Sequence, residues 1–149
     1  MTDINLVFDP TTGTFDFDIG TSDVATGNDL ETAVAVSLFT DARAPDDYTP
    51  TDGTTDRRGC WIDTYSPTPW GSLLWQLDRA EISNPTATLR RAEKTALTAL
   101  QWLIDDGVAA TITAAATWLG QGFLQLVITI TQPVGGPQTF TWAWNTVSN

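Results

Sequence analysis

Residues 84–107 read NPTATLRRAEKTALTALQWLIDDG, and this stretch decides the fold. Asn84 followed by Pro85 supplies an N-cap and a first helical residue whose missing N–H is no loss at that position. Leu89, Ala92, Ala96, Leu100, Leu103 and Ile104 then recur at helical spacing, which makes one side of the segment apolar. Gly107 stops it, so a single helix is predicted from about 85 to 106. Beyond Gly107 the hydrophobic period falls from about 3.6 to about 2. Val108, Ala110, Ile112 and Ala114 share one face, followed by Leu124, Leu126, Ile128 and Ile130, and then Phe140, Trp142 and Trp144. Gly120-Gln121-Gly122 and the run Pro133 to Pro137 separate these stretches. Residues 108–147 are thus expected to form a three-stranded antiparallel meander, with the long helix covering its apolar face.

Upstream, Gly71 to Arg79, with Leu73, Leu74, Trp75 and Leu77, suits a short helix or buried turn. Residues 41–70 are rich in Pro, Thr, Asp and Gly, too long for a plain connection, and read as an extended functional loop or a partly disordered one. Their end, Asp56 to Asp63, is denser and expected to pack. Asn28 with Glu31 has the spacing of an N-cap and its reciprocal acid, and Leu30, Val34 and Leu38 continue a helix over about 29–40. Ile4, Leu6 and Phe8 alternate before the turn cluster Asp9 to Gly13, and Phe15, Phe17 and Ile19 alternate after it, which predicts an N-terminal β-hairpin. The fold class is α+β: hairpin, short helix, long loop, then the long helix on the meander. The whole chain, 1–149, reads as one domain, with 1–27 as an acidic hairpin or arm and 28–149 as the body.

Composition removes whole classes of function. The 149 residues hold 18 Asp and Glu against 7 Lys and Arg, a formal charge of −11, which argues against gripping a phosphate backbone. Residues 1–56 carry twelve acids and one base, Arg43, so the imbalance lies entirely in the first part. This segment reads as a solvated acidic face, as a surface for a basic partner, or as both. There is no histidine and Cys60 is the lone cysteine, which removes disulfides, thiolate zinc sites and histidine-based catalysis. The start carries neither a basic n-region nor an apolar run, and no stretch approaches the roughly 20 apolar residues of a spanning helix. Synthesis in the cytoplasm and no membrane insertion are therefore expected.

A paired-carboxylate enzyme remains conceivable. Glu31 and Glu93 fall on predicted solvent faces of helices, Glu81 in a linker, and Asp63, Asp78, Asp105 and Asp106 in no acid-plus-nucleophile setting. The acids Asp9, Asp16, Asp18 and Asp23 do not form a calcium loop, because Asp16 and Asp18 sit inside an alternating run. No cofactor, metal or catalytic residue is assigned. Arg57-Arg58 could grip a carboxylate, but the favoured reading pairs them with Asp56, Asp63 or Asp46-Asp47, pinning the loop to the body. Cys60 reads as a packed small hydrophobe. Trp61, Trp70, Trp75 and Trp102 read as core residues or interface anchors rather than a stacking surface for sugars or bases. The candidate partner-binding set is accordingly Arg57, Arg58, Trp61, Trp70, Trp75 and Trp102.

Leu30-Glu31-Thr32-Ala33-Val34, Ser37 to Ala44, Asp56-Arg57-Arg58-Gly59, Gly71-Ser72-Leu73-Leu74-Trp75 and Ala99-Leu100-Gln101-Trp102-Leu103 together resemble the Mu-like phage baseplate wedge family. That family is itself similar to the small "lysozyme-like" wedge subunit of larger contractile-tailed phages. The likeness spans about residues 3–131 and rests on the order and spacing of the motifs. Cys60 stands where the family carries an aromatic, and the Glu-Pro-Arg triplet of the larger phages' subunit is absent. The resemblance implies a structural subunit of a phage tail baseplate or related injection particle, and the lack of histidine and of a plausible carboxylate pair argues that it is not an enzyme. Its implied partners are other wedge and hub proteins in a hetero-oligomeric ring around the tail hub, with no direct nucleic-acid contact. A peptidoglycan hydrolase of the tail is the alternative, and a small acidic binding module or assembly chaperone is the third reading.

Overall fold

The computed structural model describes residues 3–4, 6–9, 14–17, 26–27, 29–50, 54–67, 69–79, 84–120 and 122–146. Four short strands open the chain: β1 (Asp3–Ile4), β2 (Leu6–Asp9), β3 (Thr14–Phe17) and β4 (Thr26–Gly27). β2 and β3 pair antiparallel as the expected hairpin, with Phe8 opposite Phe15, and β1 pairs with β4. Helix α1 covers Asp29–Phe39; its expected cap, Asn28, lies outside the described residues, as do Asp18, Ile19, Asp23 and Glu81. A 3₁₀ turn at Trp61–Thr64 and another at Leu74–Arg79 punctuate the connection to α2 (Pro85–Asp105). The chain closes with β5 (Thr111–Gly120), β6 (Phe123–Thr131) and β7 (Pro137–Asn145), ordered β5-β6-β7 and antiparallel throughout.

Helix α2 begins and ends as its sequence dictates. The Asn84 side chain accepts from the Ala87 N–H at 3.2 Å with Pro85 at the first position, and Gly107 at φ +75° takes the left-handed exit. The first strand differs from expectation at its start. Val108 and Ala110 are exposed residues of the turn after the helix, the Ala109 N–H bonding back to Leu103 O at 2.8 Å, and regular pairing begins at Thr111. From there the alternation holds, and Leu124, Leu126, Ile128 and Ile130 of the central strand are fully buried, with Phe140, Trp142 and Trp144 beside them.

The long helix packs on the meander as expected, and α1 adds to its cover. Three strands at about 4.8 Å spacing present a face wider than the roughly 10 Å of one helix. Helix α2 lies chiefly over β5, bringing Ala92, Ala96, Leu100 and Leu103 into the core. The end of α1 covers β7, where the Phe39 ring meets Trp142 at 5.9 Å and Trp144 at 5.6 Å edge-on and Phe15 of the hairpin at 5.0 Å. The helices join through Ser37, whose hydroxyl donates to Ala33 O and accepts from Trp102 Nε1 at 3.0 Å. Glu93, expected on a solvent face, instead turns toward β5 and accepts the Ala116 N–H at 2.9 Å, so its carboxylate blocks part of an open sheet edge. Among the described residues no helix is long and apolar enough to cross a membrane.

Two leucines on α2 provide a direct check of this packing. Leu100→Ala, at a fully buried site, is expected to lower stability by about 2–5 kcal/mol in urea unfolding. Leu97→Ala, at a site 39% exposed, should change it by no more than about 0.5 kcal/mol.

Candidate partner-binding surface

The long connection is closed at its base by a backbone junction. Ser72 N donates to Thr40 O at 2.9 Å, Ala42 N donates to Ser72 O at 2.9 Å, and Asp41 and Ser72 form an isolated parallel bridge. The buried Ser72 hydroxyl donates to Leu38 O, satisfying a carbonyl at the end of α1, and accepts from Leu74 N at 3.1 Å. Gly71 makes the approach possible: at φ +93°, a Cβ there would lie 2.8 Å from the Thr40 carbonyl carbon and nearer still to its oxygen.

Above this junction Trp75 organises the loop. Its indole N–H donates to Ala42 O at 2.9 Å, Tyr48 meets its ring edge-on at 5.6 Å, and the Arg58 guanidinium carbon stands 4.6 Å over its face. Arg58 also donates to Asp41 at 2.8 Å, while Arg57 pairs with Asp46 and its carbonyl accepts from Ala44 N at 2.9 Å. The Arg57 partner is among those the sequence suggested; the Arg58 partner is not. Asp41 lies 17 positions away in sequence, and only the junction beside it carries it back to Arg58. Asp56 accepts the Arg58 backbone N–H at 2.8 Å, holding a non-glycine residue at φ +53°, and Gly59 continues the turn at φ +121°.

Asp63 fixes the far end through backbone contacts rather than an arginine. One carboxylate oxygen accepts from Cys60 N at 3.1 Å, capping the 3₁₀ turn, and the other accepts from Trp70 N at 2.9 Å. The Trp70 backbone is thereby drawn against the short turn that carries Trp61 and leads into Tyr65. This segment is ordered yet not packed inward: Trp61 is 75%, Tyr65 82% and Trp70 46% exposed, and Trp61 meets Tyr65 edge-on at 6.4 Å. A shallow depression beside them is bordered by Arg43, Arg58, Gly59 and Cys60, the last of these half-buried.

The six candidate residues therefore divide by place. Trp61 and Trp70 are exposed rings on the loop, their backbones tied through the turn that Asp63 caps; Arg57, Arg58 and Trp75 hold the loop in shape; Trp102 lies apart, its indole N–H bonded to Ser37 between the helices and its ring 41% exposed. Of the candidate carboxylates, Asp105 accepts from Gln101 at 3.0 Å and Glu93 accepts from the sheet edge. Among the described residues no group of three His, Cys, Asp or Glu could hold a metal ion.

The described residues form a body of two helices on a meander, with a tied loop presenting exposed aromatics, and sequence comparison supplies its family. The profile of the family described as "Phage protein GP46" matches residues 30–137, and the chain belongs to that family. It is 43% identical over 149 residues to "Baseplate protein gp46" of Escherichia phage Mu, covering 99% of this chain and 100% of that protein. It is 34% identical over 134 residues to "Mu-like prophage FluMu protein gp46" of Haemophilus influenzae, covering 89% of this chain and 90% of that protein. The expected membership of a Mu-like baseplate family is borne out.

The loop's dependence on its junction is measurable. Gly71→Ala should destabilise the protein by at least about 2 kcal/mol, read by thermal or urea unfolding, because strain and steric overlap act together. Trp61→Ala should leave the unfolding midpoint unchanged.

Proposed function

We propose that the chain is a structural subunit of the baseplate wedge of a contractile phage tail or a related injection particle. It is held with other wedge proteins around the tail hub, and it has no catalytic activity. The observation that carries this reading is the 43% identity, over essentially the whole of both chains, to a Mu protein named for the baseplate. The surface supports it. Trp61, Tyr65 and Trp70 are large apolar side chains left in water on a segment already held by Asp63, so docking them gains burial at little further cost in ordering. The acidic first part adds steering toward a basic wedge or hub surface, an effect that fades with salt. The protein resides in the tail of the assembled particle.

A hydrolase would need an acid and a nucleophile free to meet substrate together, and Asp41, Asp46, Asp56, Asp63, Glu93 and Asp105 instead bind the protein's own backbone and side chains. Purified protein should leave a peptidoglycan gel uncleared. In particles assembled from a prophage carrying Trp61→Ala/Trp70→Ala, incorporation of the subunit should fall about tenfold or more, since anchors of this kind contribute about 2 kcal/mol each. The isolated variant should unfold at the wild-type midpoint. Normal incorporation of the double variant would move the interface off this loop, and clearing of the gel would overturn the structural reading.

A further inference from the structure

Arg90, Arg91 and Lys94 bring three of the chain's seven basic residues onto two turns of α2, and all three are exposed. The acid between them, Glu93, also borders the groove they line, but its carboxylate accepts the Ala116 N–H and pairs with none of the three. Among the described residues neither Arg90 nor Lys94 has an acidic partner, and Arg91 is engaged by Gln76, which leaves its charge uncompensated. The loop arginines differ, since Arg57 and Arg58 are neutralised by Asp46 and Asp41. Arg90, Lys94, Leu97 and Gln101 follow at i, i+4, i+7 and i+11, one stripe along the helix, and with Glu93 and Thr98 they line a shallow groove. Leu97 sits in its middle, 39% exposed.

We infer that this stripe docks on an acidic protein surface of a neighbouring particle component, an inference that rests on the baseplate reading above. The argument is charge complementarity. A chain of net charge −11 repels an acidic neighbour, so approach is favourable only where positive charge stands uncompensated, and the first half of α2 is such a place. The stripe also has an internal order. Two cations at one end select carboxylates, and Leu97 flanked by Thr98 and Gln101 offers an apolar contact from which water can leave, fixing register as well as sign. The opposite assignment, a nucleic-acid backbone, would set two or three phosphate contacts against the repulsion of the remaining acidic chain. The subunit then bridges neighbours of opposite character, with the acidic first part toward a basic surface and α2 toward an acidic one.

The test uses assembled particles. A photo-crosslinking residue, p-benzoylphenylalanine, replaces Leu97 in the prophage-encoded chain; purified particles are irradiated and the linked segment is identified by mass spectrometry. The expected product joins position 97 to one other particle protein, in a segment carrying Asp or Glu beside the linked site. Its yield should drop about tenfold in Arg90→Glu/Lys94→Glu and return when those acids are changed to Lys. A link to nucleic acid, to a second copy of this chain or to a segment without acids, an undiminished yield in the charge-reversed variant, or no link in particles that contain the protein, would each overturn the inference. Particles that assemble without the wild-type chain would instead overturn the baseplate reading. The unfolding midpoint of Arg90→Glu/Lys94→Glu should match wild type, since both side chains are exposed.

Discussion

The return of the chain to the end of α1 at Ser72 is the constraint from which the exposed chemistry follows. Closing an excursion of about 30 residues costs on the order of 3 kcal/mol in chain entropy beyond a constant, and the segment between supplies little buried apolar surface to offset it. The junction answers with hydrogen bonds that are buried and therefore costly to break: the Ser72 hydroxyl to Leu38 O, and the paired backbone contacts with Thr40 and Ala42. Leu38 itself is buried in the main core, so the loop is anchored to the best-packed part of the molecule. Glycine at 71 is what lets two backbones approach that closely.

From that base the order of the loop propagates by short polar steps rather than by a second core. Ala42, fixed by Ser72, offers its carbonyl to Trp75; Trp75 offers its ring face to Arg58 and its edge to Tyr48; Arg58 reaches Asp41, adjacent to where the chain began. Each link is modest, since exposed ion pairs are worth about 0–1 kcal/mol and a cation over a partly exposed ring about as much. They act together because they share one closed circuit. The outcome is a set of aromatic side chains presented to solvent on a backbone that no longer has to be ordered.

The parts of the fold that were legible in the sequence are those governed by local rules. Asn84-Pro85 and Gly107 bound α2 because capping chemistry lies within a few residues of the element it ends, and the alternation from Leu124 to Ile130 names the core face of the central strand directly. The misreadings have the same root in reverse. Val108 and Ala110 continue the alternation on paper, yet the left-handed exit at Gly107 displaces the start of pairing to Thr111. Glu93 looks like a solvent residue by helical periodicity, and only the adjacent strand edge gives it a partner. Of the candidate site, the residue types were readable but not their division of labour. Trp61 and Trp75 are alike in sequence context, and it is the junction at Ser72 and the two hydrogen bonds of Asp63 that make one a bare surface ring and the other a hub.

Charge is divided in the same way as structure. After Asp106 the chain contains no Asp, Glu, Lys or Arg, so the whole meander is uncharged. Its outward face is kept compatible with water by threonine instead: Thr111, Thr113 and Thr117 on β5 and Thr139 and Thr141 on β7 are exposed, and Thr129 meets Thr139 at 3.2 Å. Threonine suits the task because it is β-branched, favouring the strand, and polar without a long side chain to immobilise. A sheet so built needs protection at its edge, and part of that comes from an acid on α2 rather than from charges of its own. The C-terminal part thus gives a stiff platform, while α2 and the segments before it hold every charge and the exposed rings of the loop. That separation means that surface chemistry can vary on the charged part without disturbing the packing that sets the geometry.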